Sequence, residues 1–143
     1  MMERVLALLL ALIRRFEGCR LRAYLCPAGV PTIGWGSTGP DVKLGMTWLQ
    51  QQADARMALD ASAFLAATRR LVPTASTDGR TAALADFAYN LGLTRLKAST
   101  LRRRALAGDW IGAQQELQKW TRGGGRVLPG LVARRKAEAA LMQ

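Results

Sequence analysis

The Leu- and Ala-rich run from Glu3 to Phe16 stops on Glu17-Gly18, and the chain soon enters the segment Gly29-Val30-Pro31-Thr32-Ile33-Gly34-Trp35-Gly36. No other stretch restricts the fold as much. The first run has the composition and apolar spacing of an amphipathic helix. The second cannot prolong that helix, because Gly and Pro recur too densely within it. Pro27-Ala28-Gly29 marks a turn, so Cys19 to Gly36 reads as a small β-hairpin. A helix that ends on a carboxylate and runs into a tight hairpin gathers one acid, Glu17, one thiol, Cys26, and one hydroxyl, Thr32, on a short length of backbone.

After the hairpin the patterning is helical throughout. Ser37 to Gly45 is loop, with a turn at Gly39-Pro40-Asp41. Thr47 is the expected N-cap of a helix over Trp48–Leu71, with Met57, Phe64, Leu65 and Leu71 facing a core and Pro73 ending it. Thr77-Asp78-Gly79 opens a helix over Arg80–Asn90, which Gly92 stops. Ser99–Ala107 is a short basic helix closed by Gly108, and Asp109 caps Trp110–Trp120. Thr121–Gly125 reads as a flexible loop, and Pro129 suits the first turn of a last helix running to about Leu141. The fold class is α+β. We expect one domain over residues 1–143, with a β-hairpin lobe at about 17–45 and a helical part made of 1–16 and 46–143. A chain of this length buries roughly two-thirds of its unfolded surface and needs no disulfide.

The net charge of +11, from 21 Lys and Arg against 10 Asp and Glu, favours anionic partners. Nucleic acid, anionic lipid and anionic wall polymers all carry that charge, but no nucleic-acid recognition signature is present. Arg102, Arg103, Arg104 and the pair Arg134-Arg135 read as solvated helix faces. Arg134, Arg135 and Lys136 beside Leu131, Val132 and Leu141 also allow an alternative, a membrane-active cationic protein. The run Val5–Ile13 is nine residues, short of the ~20 that span a bilayer. Arg14, Arg15 and Glu17 follow it without a small-residue cleavage site, so it reads as the first helix of the mature fold, with an inefficient signal-anchor role as the minor alternative.

The chain has no His, which excludes Ser-His-Asp and Cys-His mechanisms. Cys19 and Cys26 do not match a zinc spacing, so neither a metal nor a cofactor is expected. Apolar surroundings would favour the protonated form of the Glu17 carboxyl, the form a general acid needs. Its plain alternative is a solvated helix end. Cys26 alone would be a small buried hydrophobe, and Thr32 alone a β-branched strand residue whose hydroxyl is able to hold a water.

Taken together, these residues resemble the phage-type lysozymes, the endolysins of the T-even and lambdoid muramidase family. The resemblance rests on helix-Glu17-Gly18, the Glu-x8-Cys-x5-Thr spacing and the strand Thr32-Ile33-Gly34-x-Gly36. It extends to Phe87-x-Tyr89-Asn90-Leu91-Gly92 and to the tail Lys119-Trp120-x-x-Gly123-Gly124-Gly125-Arg126-x-Leu128-Pro129-Gly130-Leu131-x-x-Arg134-Arg135. It implies the lysozyme fold, with a hairpin lobe and a helical lobe flanking a saccharide cleft and joined by the Trp48–Leu71 helix. It implies cleavage of the bond between N-acetylmuramic acid and N-acetylglucosamine in peptidoglycan. Glu17 would be the general acid, position 26 the base that activates water, and Thr32 the residue that orients that water. Gly34, Trp35, Asn90, Gly124 and Arg126 would contact substrate. Peptidoglycan is the implied partner, with anionic outer-membrane or wall polymers favoured by the charge, and the protein is expected to be a monomer. It would be made in the host cytoplasm and reach the periplasmic wall after holin-dependent release.

Three positions depart from the family pattern. Position 26 is Cys where many members have Asp, position 31 is Pro where an aromatic is usual, and position 37 is Ser where His is often found. A thiol ionises near 8.5, and apolar or acidic surroundings are expected to push Cys26 higher, leaving it a weaker base than Asp.

Overall fold

The structure, a computed structural model, describes residues 2–143. Its elements are α1 Arg4–Phe16, β1 Arg20–Leu25, β2 Pro31–Gly34, α2 Gln50–Leu71, α3 Asp78–Leu91, α4 Leu93–Ala98, α5 Thr100–Leu106, α6 Trp110–Leu117, β3 Arg122–Gly123, β4 Arg126–Val127 and α7 Pro129–Leu141. None of these helices is long and apolar enough to cross a membrane.

Helix α1 buries Val5, Leu9, Leu10, Leu12 and Ile13 on one face and turns Arg14 and Arg15 outward. The buried face packs on Met57, Ala61 and Leu65 of α2 and on Ala82 and Ala85 of α3. Thr81 to Ala88 of α3 are all buried, which makes α3 the axis of the molecule. Its other side builds a second core with Leu96, Leu101, Leu117 and Met142, where Trp120 meets Phe87 edge-on at 5.3 Å. A third, small cluster of Ala23, Ile33 and Val42 lies under the hairpin, with Met46 and Trp48 against it.

The hairpin pairs β1 and β2 antiparallel, with Tyr24 opposite Thr32 and Leu25 opposite Pro31. Residues 46–48 run along its other edge. Ala23 N–H donates to Met46 O at 2.9 Å and Trp48 N–H to Leu21 O at 2.7 Å. This pairing explains why Thr47 does not cap α2 as expected: it is drawn into a bridge with Arg22. The helix starts two residues later, where the Gln52 side chain accepts the Leu49 N–H at 2.8 Å.

Other boundaries follow the sequence reading closely. Thr77 accepts from Arg80 N–H, Asp109 accepts from Gly112 N–H, and Pro129 opens α7. Gly92, at φ 98°, ends α3 and directly begins α4, an element the sequence reading did not separate. The expected loop at Thr121–Gly125 is instead part of a two-stranded hairpin, with Gly123 opposite Arg126. Gly124 and Gly125 both take positive φ, 59° and 81°, as a tight two-residue turn between twisted strands requires.

Candidate active site

Glu17 is fixed by the way α1 stops. Its backbone is extended, at φ −90° and ψ 132°, yet its N–H still donates to Ile13 O at 2.8 Å. The side chain therefore leaves the helix end where the hairpin begins. Gly36 lies directly against it: a Cβ built there would sit 2.8 Å from Glu17 Oε1, with the Tyr89 ring close behind. Gly36 also has φ +88°, so both space and backbone exclude a side chain. Tyr89 closes this wall by donating its hydroxyl to Trp35 O at 2.7 Å, and burial raises its phenol above the ordinary range. Gly36, Thr38, Asp60, Phe64 and Tyr89 line a cavity of about 110 Å³.

The partner of Glu17 comes from the far end of the chain. Arg134 Nη1 donates to Glu17 Oε2 at 2.5 Å. The same guanidinium grips Asp86 with two parallel bonds, Nε to Oδ2 and Nη2 to Oδ1, both 2.8 Å. Arg134 is 3% exposed and Arg135 is fully buried, so the expectation that they form a solvated basic face is overturned. Arg135 lies against Glu138, with Nε 2.7 Å from Oε1, and donates from Nη2 to Glu138 Oε2 at 3.0 Å and to Asn90 Oδ1 at 2.8 Å. The basic stripe of α7 thus points into the protein. The membrane-active alternative loses its basis there, since Lys136 alone of the three cations is exposed.

Burial by itself would lower Arg134, but its hydrogen bonds and attraction to Asp86, and then to Glu17, more than reverse this and hold it charged. Burial would likewise raise Asp86, and the Arg134 bonds bring it below the usual carboxylate range. Glu138 moves the other way, raised by burial and then by its hydrogen bond to Asp86. Asp86 and Glu138 escaped the sequence reading because neither carries a local signal; an acid inside the apolar run of α3 was the only hint.

Cys26 closes the β1–β2 turn. Its N–H donates to Val30 O at 3.0 Å and its C=O accepts from Gly29 N–H at 2.8 Å. The thiol is lowered, not raised as expected. The Val30 amide hydrogen bond to sulfur is the main cause, burial opposes it, and the amides of Ala28 and Gly29 and the Thr32 hydroxyl add to the lowering. A turn that aims amide dipoles inward stabilises an anion at its centre. Thr32 is buried, and its hydroxyl donates to Val30 O at 2.9 Å. Both cysteines are free thiols; Cys19 Sγ accepts from Gln50 Nε2 at 3.6 Å.

The remaining expected contacts divide. Gly34, at φ +67°, is buried against the Trp48 ring. Trp35 is half-buried and donates Nε1 to Asp54 Oδ1 at 2.8 Å. Asn90 is half-buried with its side-chain oxygen turned to Arg135. Gly124 and Arg126 are exposed on the β3–β4 hairpin. Ser37 is buried and donates to Asp60 Oδ2 at 2.8 Å, tying the hairpin lobe to α2. Arg56 does the same, bonding Asp60 at 2.9 Å and Asp41 at 2.6 Å.

With this geometry in hand, the comparisons are direct. The family model for phage lysozyme matches residues 14–138, a span that contains Glu17, the hairpin, Asp86 and Arg134. The chain belongs to the phage lysozyme family. It is 36% identical over 138 residues to the endolysin of Acyrthosiphon pisum secondary endosymbiont phage 1, covering 94% of each chain. It is 38% identical to the endolysin of Bacillus phage B103 over 91% of this chain, but spans about half (50%) of that protein. Among solved structures, the muramidase domain of SpmX from Asticaccaulis excentricus superposes with a TM-score of 0.85 at 32% identity, covering 99% of this chain and 97% of that one. The phage-lysozyme fold therefore accounts for both lobes, and its helical lobe supplies the arginine that meets Glu17.

Proposed function

We propose that this protein is a muramidase, a glycoside hydrolase that cuts the β-1,4 bond between N-acetylmuramic acid and N-acetylglucosamine in bacterial peptidoglycan and so lyses the host cell. The observation that carries the reading is the Glu17 carboxyl, held at a helix end between a charged guanidinium and Gly36, whose missing side chain leaves room for that carboxyl. Glu17 is the general acid that protonates the leaving glycosidic oxygen. Arg134 favours the carboxylate that forms as the proton leaves, which is stabilisation where charge develops. Cys26 is the base toward water on the opposite face of the sugar, and its lowered thiol makes the thiolate more available than in a free cysteine. Thr32, buried with its hydroxyl proton given to Val30 O, has lone pairs free to orient that water. Two groups acting across a water correspond to the inverting arrangement.

Residues 1–143 work as one domain and as a monomer, with Trp35, Asn90 and the Gly124–Arg126 turn nearest the sugar or its peptide. The excess positive charge draws the enzyme to the anionic envelope. Synthesis in the host cytoplasm and passage through a holin-opened membrane deliver it to the periplasmic wall.

Purified peptidoglycan is the test substrate. Digestion should release muropeptides whose new reducing ends are N-acetylmuramic acid. Reducing ends of N-acetylglucosamine, or no new reducing ends with lysis intact, would contradict the muramidase reading.

A further inference from the structure

Arg134 and Arg135 are consecutive in α7, yet they serve different partners. Arg134 reaches Glu17, and Arg135 reaches Asn90 in the last turn of α3. The Arg135 side chain is fully buried and its guanidinium is held on several sides. Its Nη2 carries two protons, and both are used. One goes to Asn90 Oδ1 at 2.8 Å and the other to Glu138 Oε2 at 3.0 Å. Nε lies 2.7 Å from Glu138 Oε1, and the Phe87 ring covers the guanidinium at 5.3 Å. Phe87 and Asn90 share a face of α3, three residues apart, as Arg135 and Glu138 do on α7.

This contact decides which end of the Asn90 amide faces outward. An arginine only donates, so it must meet the amide oxygen. The NH2 group is then turned away from Arg135. It has no hydrogen-bond partner among the described residues, and it is not one of the buried unpaired atoms, so it meets solvent. Asn90 follows Tyr89, which lines the cavity beside Gly36, and the arginine next to its own partner holds Glu17. Nη1 of Arg135 is buried without a partner, so turning the Asn90 oxygen outward would leave a further donor of this guanidinium unpaired.

We propose that the Asn90 NH2 group grips an amide carbonyl of peptidoglycan, in an N-acetyl group or in the stem peptide, and that Arg135 and Glu138 are positioning residues that fix its orientation. The inference rests on the muramidase reading. An uncharged donor suits an uncharged acceptor, and amide carbonyls are the strongest of those that the polymer offers. A freely turning Asn would accept as readily as it donates, and so would not tell a carbonyl from a hydroxyl. Locked by Arg135, it presents donors alone. An apolar pair in place of Arg135 and Glu138 would fill the same space without the cost of burying charge. It would lack the donor that keeps the Asn90 oxygen inward.

The test compares wild type with Asn90→Asp, which keeps an oxygen for Arg135 and removes the N–H donors. Three substrates are used: purified peptidoglycan, the same material with its N-acetyl groups removed, and the same material stripped of stem peptides by an amidase. The ratio of kcat/KM between intact and stripped substrate cancels any common effect on rate. Wild type should prefer the substrate that has the partner carbonyl by about tenfold, the worth of one hydrogen bond. Asn90→Asp should lose that preference through KM, with kcat on intact peptidoglycan within about threefold. Loss on the de-N-acetylated arm identifies the N-acetyl carbonyl, and loss on the peptide-free arm identifies the stem peptide. Preferences equal to wild type on both arms overturn the proposal. Arg135→Met with Glu138→Leu should weaken the same preference, and adding Asn90→Asp should change little more; a folded double variant with the wild-type preference overturns the positioning role. Proton NMR of the unmodified protein tests the orientation without any variant having to fold. The Arg135 Nη2 protons should be protected from solvent exchange and the Asn90 NH2 protons should not; protected Asn90 protons overturn it. If wild type releases no muropeptides from any of the three substrates, the muramidase reading fails; if it does and the preferences survive Asn90→Asp, this inference alone fails.

Discussion

Arg134, in the last helix, reaches across 117 residues of sequence to hydrogen-bond Glu17 at the end of the first. This contact joins the end of the first helix to the last helix and brings the helical lobe against Glu17. It also makes Arg134 costly to remove. Arg134→Met leaves Asp86 buried without its partner, and breaking a buried pair costs about 3–5 kcal/mol. Urea denaturation should show a loss of that size. The double variant Arg134→Met with Asp86→Leu should regain much of the stability but not the activity, because apolar packing replaces the pair while nothing replaces the charge behind Glu17. A single variant as stable as wild type would contradict the burial described here.

Gly36→Ala should damage the site for a steric reason. Its Cβ would lie 2.8 Å from Glu17 Oε1, and φ +88° is strained for any L side chain. Strain of this kind costs about 1–3 kcal/mol. Activity should fall more than stability, since the carboxyl is pushed from its place beside Arg134. Thermal unfolding and turbidity clearance measured together on one preparation decide this; normal activity at reduced stability would place Glu17 elsewhere during turnover.

Cys26 should ionise below the ordinary thiol range, because amides of its own turn point at the sulfur. The rate of alkylation by iodoacetamide at Cys26 should therefore reach half its maximum below pH ~8.5, and alkylation should inactivate the enzyme. Cys26→Ser should be much weaker, a hydroxyl being a poor base. Cys26→Asp should be active with its pH profile displaced to lower pH, since Asp ionises near ~4. Full activity in Cys26→Ser would reduce Cys26 to a space-filling residue.

How much of this was legible in the sequence depends on the range of the interactions involved. Caps and stops such as Thr77, Gly92, Asp109 and Pro129 act within a few residues, and their sequence positions match the helices they bound. Glu17, Cys26 and Thr32 stood out because they lie close along the chain, at a helix end and in the hairpin that follows it. Thr47 misled because its partner, Arg22, is on another strand. Gly123–Arg126 looked like a loop because two residues per strand leave no alternation to read. Arg134 and Arg135 misled most. A charged run on a helix normally faces solvent, and nothing near them in sequence announces Asp86, 48 residues away, or Glu17. Only the folded chain shows that their charges are matched inside.

The central claim is that Glu17 donates the proton that breaks the glycosidic bond, and Glu17→Gln on purified peptidoglycan tests it most directly. Gln keeps the shape and still accepts a hydrogen bond from Arg134, so circular dichroism should match the wild type. General acid catalysis contributes about 10²–10⁴ in rate, and release of muropeptides should fall by that factor. A folded Glu17→Gln protein that still releases muropeptides at a rate near wild type would contradict the account.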